Sequence, residues 1–237
     1  MSSTTVLATI TEIIYFRLKP SVKPEEAAAE GTHSEGAAFL DLLFRTTERN
    51  GHLSSAWGRT EEDANSVVWV IEWADSSASA RIDDLQPFID PSSPEIINFF
   101  AILNPPISTT DTLTKNPVTE LVTLAVPSNL TPSEQKKWHE GSVAFRSALL
   151  EKIPQEDIRP LSWSMGYVER PATFEHPQSP TGHAFIYVSA IGWGSVEKHY
   201  AARETKEFAD AIKPLREKML LPAKGLAMKH VRFRKIK

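Results

Sequence analysis

The sequence contains the same pattern twice, 108 residues apart, and this repetition limits the folds that the chain can adopt. The segment Ile10–Ile14 (ITEII) recurs as Val118–Val122 (VTELV). At the same offset, Trp57–Arg59 (WGR) corresponds to Met165–Tyr167 (MGY). One such match can arise by chance, whereas several matches in the same order indicate two copies of one structural unit.

Each copy has the periodicity of a strand, a helix, two strands, a helix and a strand. First strands are predicted at 7–18 and 117–126, where apolar and polar residues alternate. The first helices run from Gly36 to about Asn50 and from the capping signal at 131–134 (TPSE) onward. Strand pairs are predicted at 52–60 with 66–74 in the first copy and at 159–170 with 182–192 in the second. Second helices are predicted at 77–86 and from Ser195 onward, the latter with a kink at Pro214. Closing strands are predicted at 95–103 and 226–234.

A βαββαβ unit is the ferredoxin-like motif, in which helices cover only one face of an antiparallel sheet. The other face needs a partner, which a second copy can supply. We therefore predict an α+β fold of two tandem ferredoxin-like βαββαβ repeats that pack sheet to sheet as an intramolecular α/β barrel. The first repeat spans 1–103, the linker 104–116 and the second repeat 117–237. Because the repeats satisfy one another while strand edges remain, we expect a monomer or a homodimer.

Composition excludes several kinds of chemistry. The 237 residues include no cysteine, which excludes thiolate nucleophiles, zinc ribbons and iron–sulfur clusters. No spacing typical of a metal site and no glycine-rich phosphate loop is present, so we expect neither metal nor cofactor. The net charge is −4 and the sequence has no basic stripe, so we do not expect the protein to bind nucleic acid. No apolar run is long enough to cross a membrane and no secretory signal is evident, so we expect a cytoplasmic protein.

The first strands (ITEIIYFRLKP and VTELVTLAV) and the segment VEKHYAARETKEF resemble the dimeric α/β-barrel superfamily. That superfamily includes antibiotic-biosynthesis monooxygenases, stress-responsive A/B barrels, polyketide cyclases, haem-degrading monooxygenases and chlorite dismutases. The resemblance to the cyclases implies a pocket between sheet and helices, with Glu12 and Glu120 at the first-strand position and Tyr200 at the helical tyrosine. The haem-degrading enzymes have a tryptophan on the third strand and a haem-ligating histidine on the second helix. The resemblance to them implies that Trp193 and His199 are the best matches to these two positions.

Two glutamates occupy equivalent positions on apolar strand faces. Period-two geometry places Glu12 beside Ile10 and Ile14, and it places Glu120 beside Val118 and Val122. Burial raises the pKa of such a carboxyl and suits it to general acid or base catalysis. The alternative is a structural role, in which each carboxylate accepts hydrogen bonds at the rim of the barrel or pairs with an arginine.

Histidine, tyrosine and tryptophan side chains supply the other candidates. Histidines on the helices can shuttle protons near neutral pH, although a helical histidine is also commonly a hydrogen-bonded boundary residue. The candidate catalytic residues are Glu120, His139, Tyr200, Glu12 and His33. The candidate substrate-binding residues are Trp57, Trp138, Tyr167, His199 and His230.

Together these features predict a cofactor-independent enzyme that binds a small apolar molecule. We expect a cyclase, isomerase or lyase acting by acid–base chemistry on a polyketide- or terpenoid-like substrate. Glu120 or His139 is the predicted base, and Tyr200 is predicted to orient a carbonyl or enolate oxygen. One alternative is a cofactor-free or haem-dependent monooxygenase of the antibiotic-biosynthesis type. Another is a non-catalytic ligand-binding or stress-related barrel protein, which would lack a connected pocket if side chains filled its barrel.

Overall fold

The structure is a computed structural model that describes residues 9–27 and 34–236. Within these residues, β-strands form one curled antiparallel sheet, and helices cover its outer face, as predicted for the α+β class. The strands are β1 (Ile10–Arg17), β2 (His52–Arg59), β3 (Ser66–Trp73), β4 (Ile97–Asn104), β5 (Val118–Pro127), β6 (Ser162–Arg170), β7 (Phe174–Glu175), β8 (His183–Trp193), β9 (Lys229–Val231) and β10 (Arg234–Lys235).

The helices are α1 (Glu35–Thr47), α2 (Ile107–Thr110), α3 (Pro132–Glu151), α4 (Val196–Arg203) and α5 (Lys206–Arg216), with 3₁₀ turns at Pro24–Glu26, Ile82–Phe88 and Glu156–Ile158. The capping signal before α3 forms as predicted, because the Thr131 hydroxyl accepts from the backbone N–H of Glu134 while the Glu134 carboxylate accepts from that of Thr131. In the part of the chain that the structure describes, no helix has the length and apolar character needed to cross a bilayer.

Two predicted helices differ in the structure. The helix expected at 77–86 is instead the 3₁₀ turn Ile82–Phe88, which contains Pro87 and therefore lacks a donor for continued α-helical bonding. The helix expected from Ser195 is divided into α4 and α5, and the break lies before Thr205 rather than at Pro214. The Thr205 hydroxyl accepts from the backbone N–H of Phe208 and so begins a new helix.

The sheet has the same strand order in both halves of the chain. Its full order is β10-β2-β3-β1-β4-β6-β8-β5-β9, with β7 paired to β8. The two halves meet where β4 pairs with β6. At the opposite seam the C-terminal segment serves both halves, because β9 pairs with β5 while β10 pairs with β2. Val231 also bridges to Thr60, so the sheet curls back on itself.

A glycine lies at each seam, at equivalent positions of the two halves. A side chain at Gly58 would collide with the backbone of Arg232, and one at Gly166 would collide with the backbone of Ile102. The recurring glycine therefore permits close approach between strands of different halves.

Alternate residues of the strands face two different environments. Ile13 and Leu121 belong to a central cluster that draws on strands of both halves. Ile14 belongs to a second cluster that includes Phe39 of α1, and Val118 belongs to a third cluster that includes Phe145 of α3. The inside of the curled sheet is thus filled by side chains, and each half has a second core between sheet and helices.

Candidate functional site

A cavity of about 250 Å³ lies in the C-terminal half, between the outer face of the sheet and helices α3, α4 and α5. Aromatic side chains form much of its wall, namely those of Phe145, Trp163, Tyr187, Trp193 and Phe208. Small-molecule sites usually measure about 300 Å³ or more, so this cavity suits a compact ligand. It lies in the outer core rather than inside the curled sheet.

The Glu120 carboxyl forms part of the cavity wall. It is 4% exposed on the outer face of β5, and Trp193 Nε1 donates a hydrogen bond to its Oε2 at 2.9 Å. Trp193 pairs with Val118, two residues before Glu120, so the indole lies diagonally across the strand pair on the same face. Burial raises the pKa of Glu120 to about 7, although the Trp193 bond and the charge of Arg203 oppose this shift.

Two histidines connect Glu120 to the molecular surface. His199 Nε2 of α4 lies 3.4 Å from Glu120 Oε2, and His199 Nδ1 lies 2.7 Å from His230 Nε2 of β9. His230 Nδ1 lies 2.8 Å from Oε1 of Glu62, which belongs to the loop between β2 and β3. Both histidines are buried, whereas the Glu62 side chain is 32% exposed. We call these four residues the Glu–His–His–Glu row.

The environment keeps His199 uncharged. Burial lowers the pKa of His199 to about 3, with further lowering by His230 and by the positive charge of Arg203. At neutral pH His199 is therefore a neutral imidazole with one N–H donor and one bare nitrogen. Burial disfavours the charged form of both partners, which favours a neutral imidazole beside a carboxyl whose pKa is raised.

Several other polar groups in the cavity wall are donors. Trp163 Nε1 is buried and has no hydrogen-bond partner among the described residues. Burial holds the pKa of Tyr187 above its ordinary value, so its hydroxyl, near Ser142, stays a neutral donor. The guanidinium-bearing residues Arg203 and Arg216 line the cavity from α4 and α5. Ligands with oxygen acceptors would satisfy such donors.

The equivalent glutamate in the N-terminal half has a different environment. Glu12 Oε2 accepts from Trp73 Nε1 at 2.9 Å and from the backbone N–H of Ala80 at 2.8 Å. Its Oε1 accepts from Asn98 Nδ2 at 3.0 Å. Burial raises the pKa of Glu12, and these hydrogen bonds oppose the rise. Three donors from three segments make this carboxylate a structural link.

Aromatic rings occupy the space between sheet and helix in the N-terminal half. The ring of Phe39 lies 6.1 Å from that of Phe16 and 5.6 Å from that of Phe88, measured between centroids. Trp57, a predicted pocket residue, packs edge-on against Phe39 at 5.7 Å and is part of this core. Trp57 thus packs in this core and is not part of the wall of the C-terminal cavity.

The structure separates the three residues that the sequence analysis combined into one mechanism. Glu120 lines the cavity, whereas His139 is exposed on α3, where its ring contacts those of Tyr167 and Tyr187. Tyr200 is 47% exposed and stacks on His199 from the solvent side of the row. Tyr200 directly follows the cavity-lining His199, and a rotation of about 100° per residue turns its side chain away from the cavity. His33 lies outside the described residues.

Among the predicted binding residues, His199 lines the cavity and His230 continues the row. Trp138 is buried in the outer core and Tyr167 is partly buried beside it. The sequence analysis missed Glu62, Trp163 and Tyr187. Trp163 and Tyr187 lie on the predicted strands β6 and β8, so alternation could have placed them on the outer face. No sequence pattern pointed to Glu62, because it lies in a surface loop of the other half.

The hydrogen-bond partners of His199 and His230 show whether either histidine could ligate haem, as the resemblance to haem-degrading enzymes implies. A haem ligand needs a ring nitrogen whose lone pair faces the iron. Nε2 of His199 faces Glu120, Nδ1 of His199 faces His230, and the second nitrogen of His230 faces Glu62. These residues do not fit haem ligation. Within 9–27 and 34–236, no group of three or more metal-ligating side chains is placed to hold a metal ion.

Comparisons with known proteins place the fold but not the reaction. No protein-family model matches the chain, and no curated protein matches it by sequence. An anthrone oxidase-like protein is similar in structure with 12% identity and a TM-score of 0.57, covering 97% of this chain and 94% of its own. A proposed monooxygenase from Lactobacillus acidophilus NCFM has 8% identity and a TM-score of 0.52, with 97% and 95% covered.

A mutant chlorite dismutase from Candidatus Nitrospira defluvii is similar as well, with 7% identity and a TM-score of 0.51, covering 96% of this chain and 92% of its own. Likeness at such low identity carries information about the fold alone. These structures share the ferredoxin-like α+β fold that the sequence predicts. This chain therefore has the ferredoxin-like α+β barrel fold.

Proposed function

We propose that the cavity of the C-terminal half is an active site in which Glu120 removes a proton from a small, largely apolar molecule. One observation carries the proposal: a buried carboxyl with a pKa of about 7 lines an aromatic cavity. General acid–base catalysis is most efficient when the pKa of the catalytic group is close to the working pH. A structural carboxylate such as Glu12 is instead bonded to several donors.

The other polar residues of the wall fit the products of such a step. Removing a proton from carbon next to a carbonyl leaves negative charge on the carbonyl oxygen. The neutral Tyr187 hydroxyl and the free Trp163 N–H can donate to that oxygen, as donors do in an oxyanion hole. Arg203 and Arg216 add positive charge at the same wall. These groups favour substrates that combine an apolar body with ketone or phenol oxygens.

The size and lining of the cavity narrow the substrate further. Aromatic and methionine side chains surround it, and its 250 Å³ suits a compact ring system. A polyketide- or terpenoid-like ketone has this character. Return of the proton to a different carbon would make the protein an isomerase. Attack of the enolate carbon on a second carbonyl, whose oxygen takes the proton, would make it a cyclase, and expulsion of a β-substituent that takes the proton would make it a lyase. None of these steps needs a cofactor.

A cofactor-free oxygenase is the second candidate, favoured by the structural likeness to an anthrone oxidase-like protein and a proposed monooxygenase. The first step would be the same removal of a proton by Glu120. The electron-rich anion would then react with molecular oxygen, which would be the co-substrate and oxidant. The two candidates therefore share a base and differ in oxygen consumption.

The architecture that we propose for this function is a pair of tandem ferredoxin-like repeats, at 1–103 and 117–237, joined by a linker at 104–116. The identical strand order of the halves supports it. So do the equivalent pairs Glu12–Trp73 and Glu120–Trp193. Since each half supplies a seam strand to the other, a monomer can be complete by itself. A homodimer is the alternative, and the molecular mass in solution distinguishes the two.

The proposal can be tested without knowledge of the natural substrate. The protein is incubated in deuterated buffer with tetralone, indanedione or anthrone, and exchange of the acidic C–H is followed by NMR. We expect Glu120→Gln to slow the catalysed exchange at least about 100-fold. Glu140→Gln, an equivalent substitution on the exposed face of α3, should leave it unchanged. Exchange that is equally fast in Glu120→Gln would refute the proposal.

An oxygen electrode in the same reactions separates the two candidate functions. Uptake of oxygen in proportion to ketone consumed would identify an oxygenase. Proton exchange or rearrangement at constant oxygen would identify a cyclase, isomerase or lyase.

A further inference from the structure

We propose that the Glu–His–His–Glu row is a proton relay that connects the cavity to the surface, with Glu62 as its outer terminus. This inference deepens the proposed function, since it rests on Glu120 being the group that exchanges protons with the substrate. It assigns His199, His230 and Glu62 to positioning and proton transfer.

The spacing of the row couples its members. The two imidazoles approach to 2.7 Å between His199 Nδ1 and His230 Nε2, which is a short hydrogen bond that requires one proton between them. The bond between His230 and Glu62, at 2.8 Å, requires another. The 3.4 Å between His199 and Glu120 is longer than an ordinary hydrogen bond, as is common at catalytic groups before substrate binds.

The row can transfer protons because each neutral imidazole has one N–H and one bare nitrogen. When Glu62 is ionised it accepts from His230 Nδ1, so His230 Nε2 is bare and accepts from His199 Nδ1. His199 Nε2 is then bare as well, and a protonated Glu120 is its matching partner. In this state both imidazoles carry their proton on Nδ1.

One concerted shift produces the second state. The Glu120 proton moves to His199 Nε2, the His199 Nδ1 proton moves to His230 Nε2, and the His230 Nδ1 proton moves to Glu62. Three bonds to hydrogen break and three form, so the charge of each histidine is unchanged. Both imidazoles now carry their proton on Nε2, Glu120 is ionised, and Glu62 can release its proton to water.

The surroundings of the row support a directed path. His199 and His230 are 2% and 0% exposed, so solvent reaches the row only at its outer end. The ring of Tyr200 stacks on His199 and lies 5.6 Å from that of His230, covering the pair on the solvent side. Glu62 is held by the backbone N–H of His230 at 3.0 Å, which fixes its carboxylate at the ring.

Through Glu62, the relay includes a residue of the N-terminal half in a site of the C-terminal half. Glu62 lies between β2 and β3, while β9 and the following residues reach across to β2. The backbone N–H of Glu61 donates to the His230 carbonyl at 2.8 Å, which fastens this loop to β9. The seam between halves is therefore part of the proposed active site.

The test uses the free protein labelled with ¹⁵N in its histidine rings, whose NMR shifts distinguish the two neutral tautomers. Between about pH 5 and about pH 9, both rings should change from Nδ1–H to Nε2–H with one midpoint, set by ionisation of Glu120. The rings change together because two bare nitrogens 2.7 Å apart would repel one another. The contact left without a proton is then the one between His230 Nδ1 and Glu62, where water can donate to both groups because the Glu62 side chain is 32% exposed. Two charged groups act on Glu120 across the row, because Arg203 of α4 lowers its pKa and Glu62 at the outer end raises it.

Three variants make the test specific. In Glu120→Gln the side-chain amide donates to His199 Nε2, so both rings should keep Nδ1–H across the range. Glu62→Gln should lower the shared midpoint, because the Glu62 charge raises the pKa of Glu120. Glu61→Gln removes the same charge from the neighbouring residue, which pairs with Arg232, and should leave the midpoint in place. Equal shifts in the last two variants would overturn the relay.

A His230 ring that keeps one tautomer while Glu120 ionises would also overturn it. Failure of the relay and failure of the proposed function are distinguishable. Loss of ketone exchange in Glu120→Gln with a fixed His230 tautomer would retain the function and exclude the relay. Coupled tautomers in a protein that exchanges no ketone would retain the relay and exclude the function.

Discussion

Glu12 and Glu120 lie at the same position of the two halves, and their environments give them different chemistry. Both are buried on the outer face of a first strand, and each accepts from a tryptophan Nε1 at 2.9 Å. Glu12 accepts two further hydrogen bonds, from Ala80 and Asn98. Glu120 faces a cavity and a histidine instead. The same strand motif thus serves as a structural link in one half and as a candidate base in the other.

The segment after the third strand accounts for this difference. In the N-terminal half the chain after β3 forms turns, and Ala80 brings a backbone donor to Glu12. In the C-terminal half, β8 is followed by α4, which begins at the Ser195 N-cap and brings His199 to Glu120. A donor that is always protonated satisfies a carboxylate permanently, whereas a neutral imidazole can give or accept a proton.

The largest expected effect is on turnover. Glu120→Gln should lower the rate of the catalysed proton exchange by about 10²- to 10⁴-fold, the usual contribution of a general base. Glu12→Gln, assayed at equal concentration of folded protein, should retain the rate within about twofold. The comparison of the halves would fail if both substitutions reduced the exchange rate alike.

The second effect is on the pH dependence of stability. The folded pKa of Glu120, about 7, exceeds the ordinary value of 4.5, so the folded state holds the proton more tightly. The free energy of unfolding therefore falls as pH rises from 4.5 to about 7, by about 3 kcal/mol in all, and this contribution is constant above. Urea titrations at several pH values should show a smaller fall in Glu120→Gln. Equal pH profiles would contradict a raised pKa.

Some residues of this site could be predicted from the sequence and others could not. Alternation and the repeat located Glu12 and Glu120 on apolar faces of the first strands, and the resemblance to the cyclases implied a pocket between sheet and helices. The repeat could not distinguish their roles, because their partners come from segments outside the repeated strand. Glu62 could not be found at all, since its approach to His230 depends on the closing seam of the sheet. Tertiary contacts between halves leave no local pattern.

The third effect is on stability at constant pH and compares the same substitution in both halves. The carboxylate oxygens of Glu12 accept hydrogen bonds from three donors. Glutamine replaces one of these oxygens with an N–H₂ group, which would face a donor instead of accepting from it. We expect Glu12→Gln to lower the free energy of unfolding by about 1–3 kcal/mol. In Glu120→Gln the amide oxygen can keep Trp193 and the N–H₂ group can donate to His199, so the cost should be under about 1 kcal/mol. Chemical denaturation at about pH 6 measures both, and a reversed order would show that the two carboxyls have exchanged roles.

The smallest effect concerns Tyr200, which the resemblance to polyketide cyclases made a candidate for orienting a substrate oxygen. The structure places its ring on His199, with 47% of the residue exposed, and Arg203 at 6.0 Å from the ring centroid. Tyr200→Phe keeps the covering ring and removes only the hydroxyl, so the rate of exchange should change less than about twofold. Tyr200→Ala would open the histidine pair to water, so it should reduce the rate more than Tyr200→Phe does. A large loss in Tyr200→Phe would mean that the hydroxyl reaches substrate, and the comparison of the halves would then have to include a second catalytic group on α4.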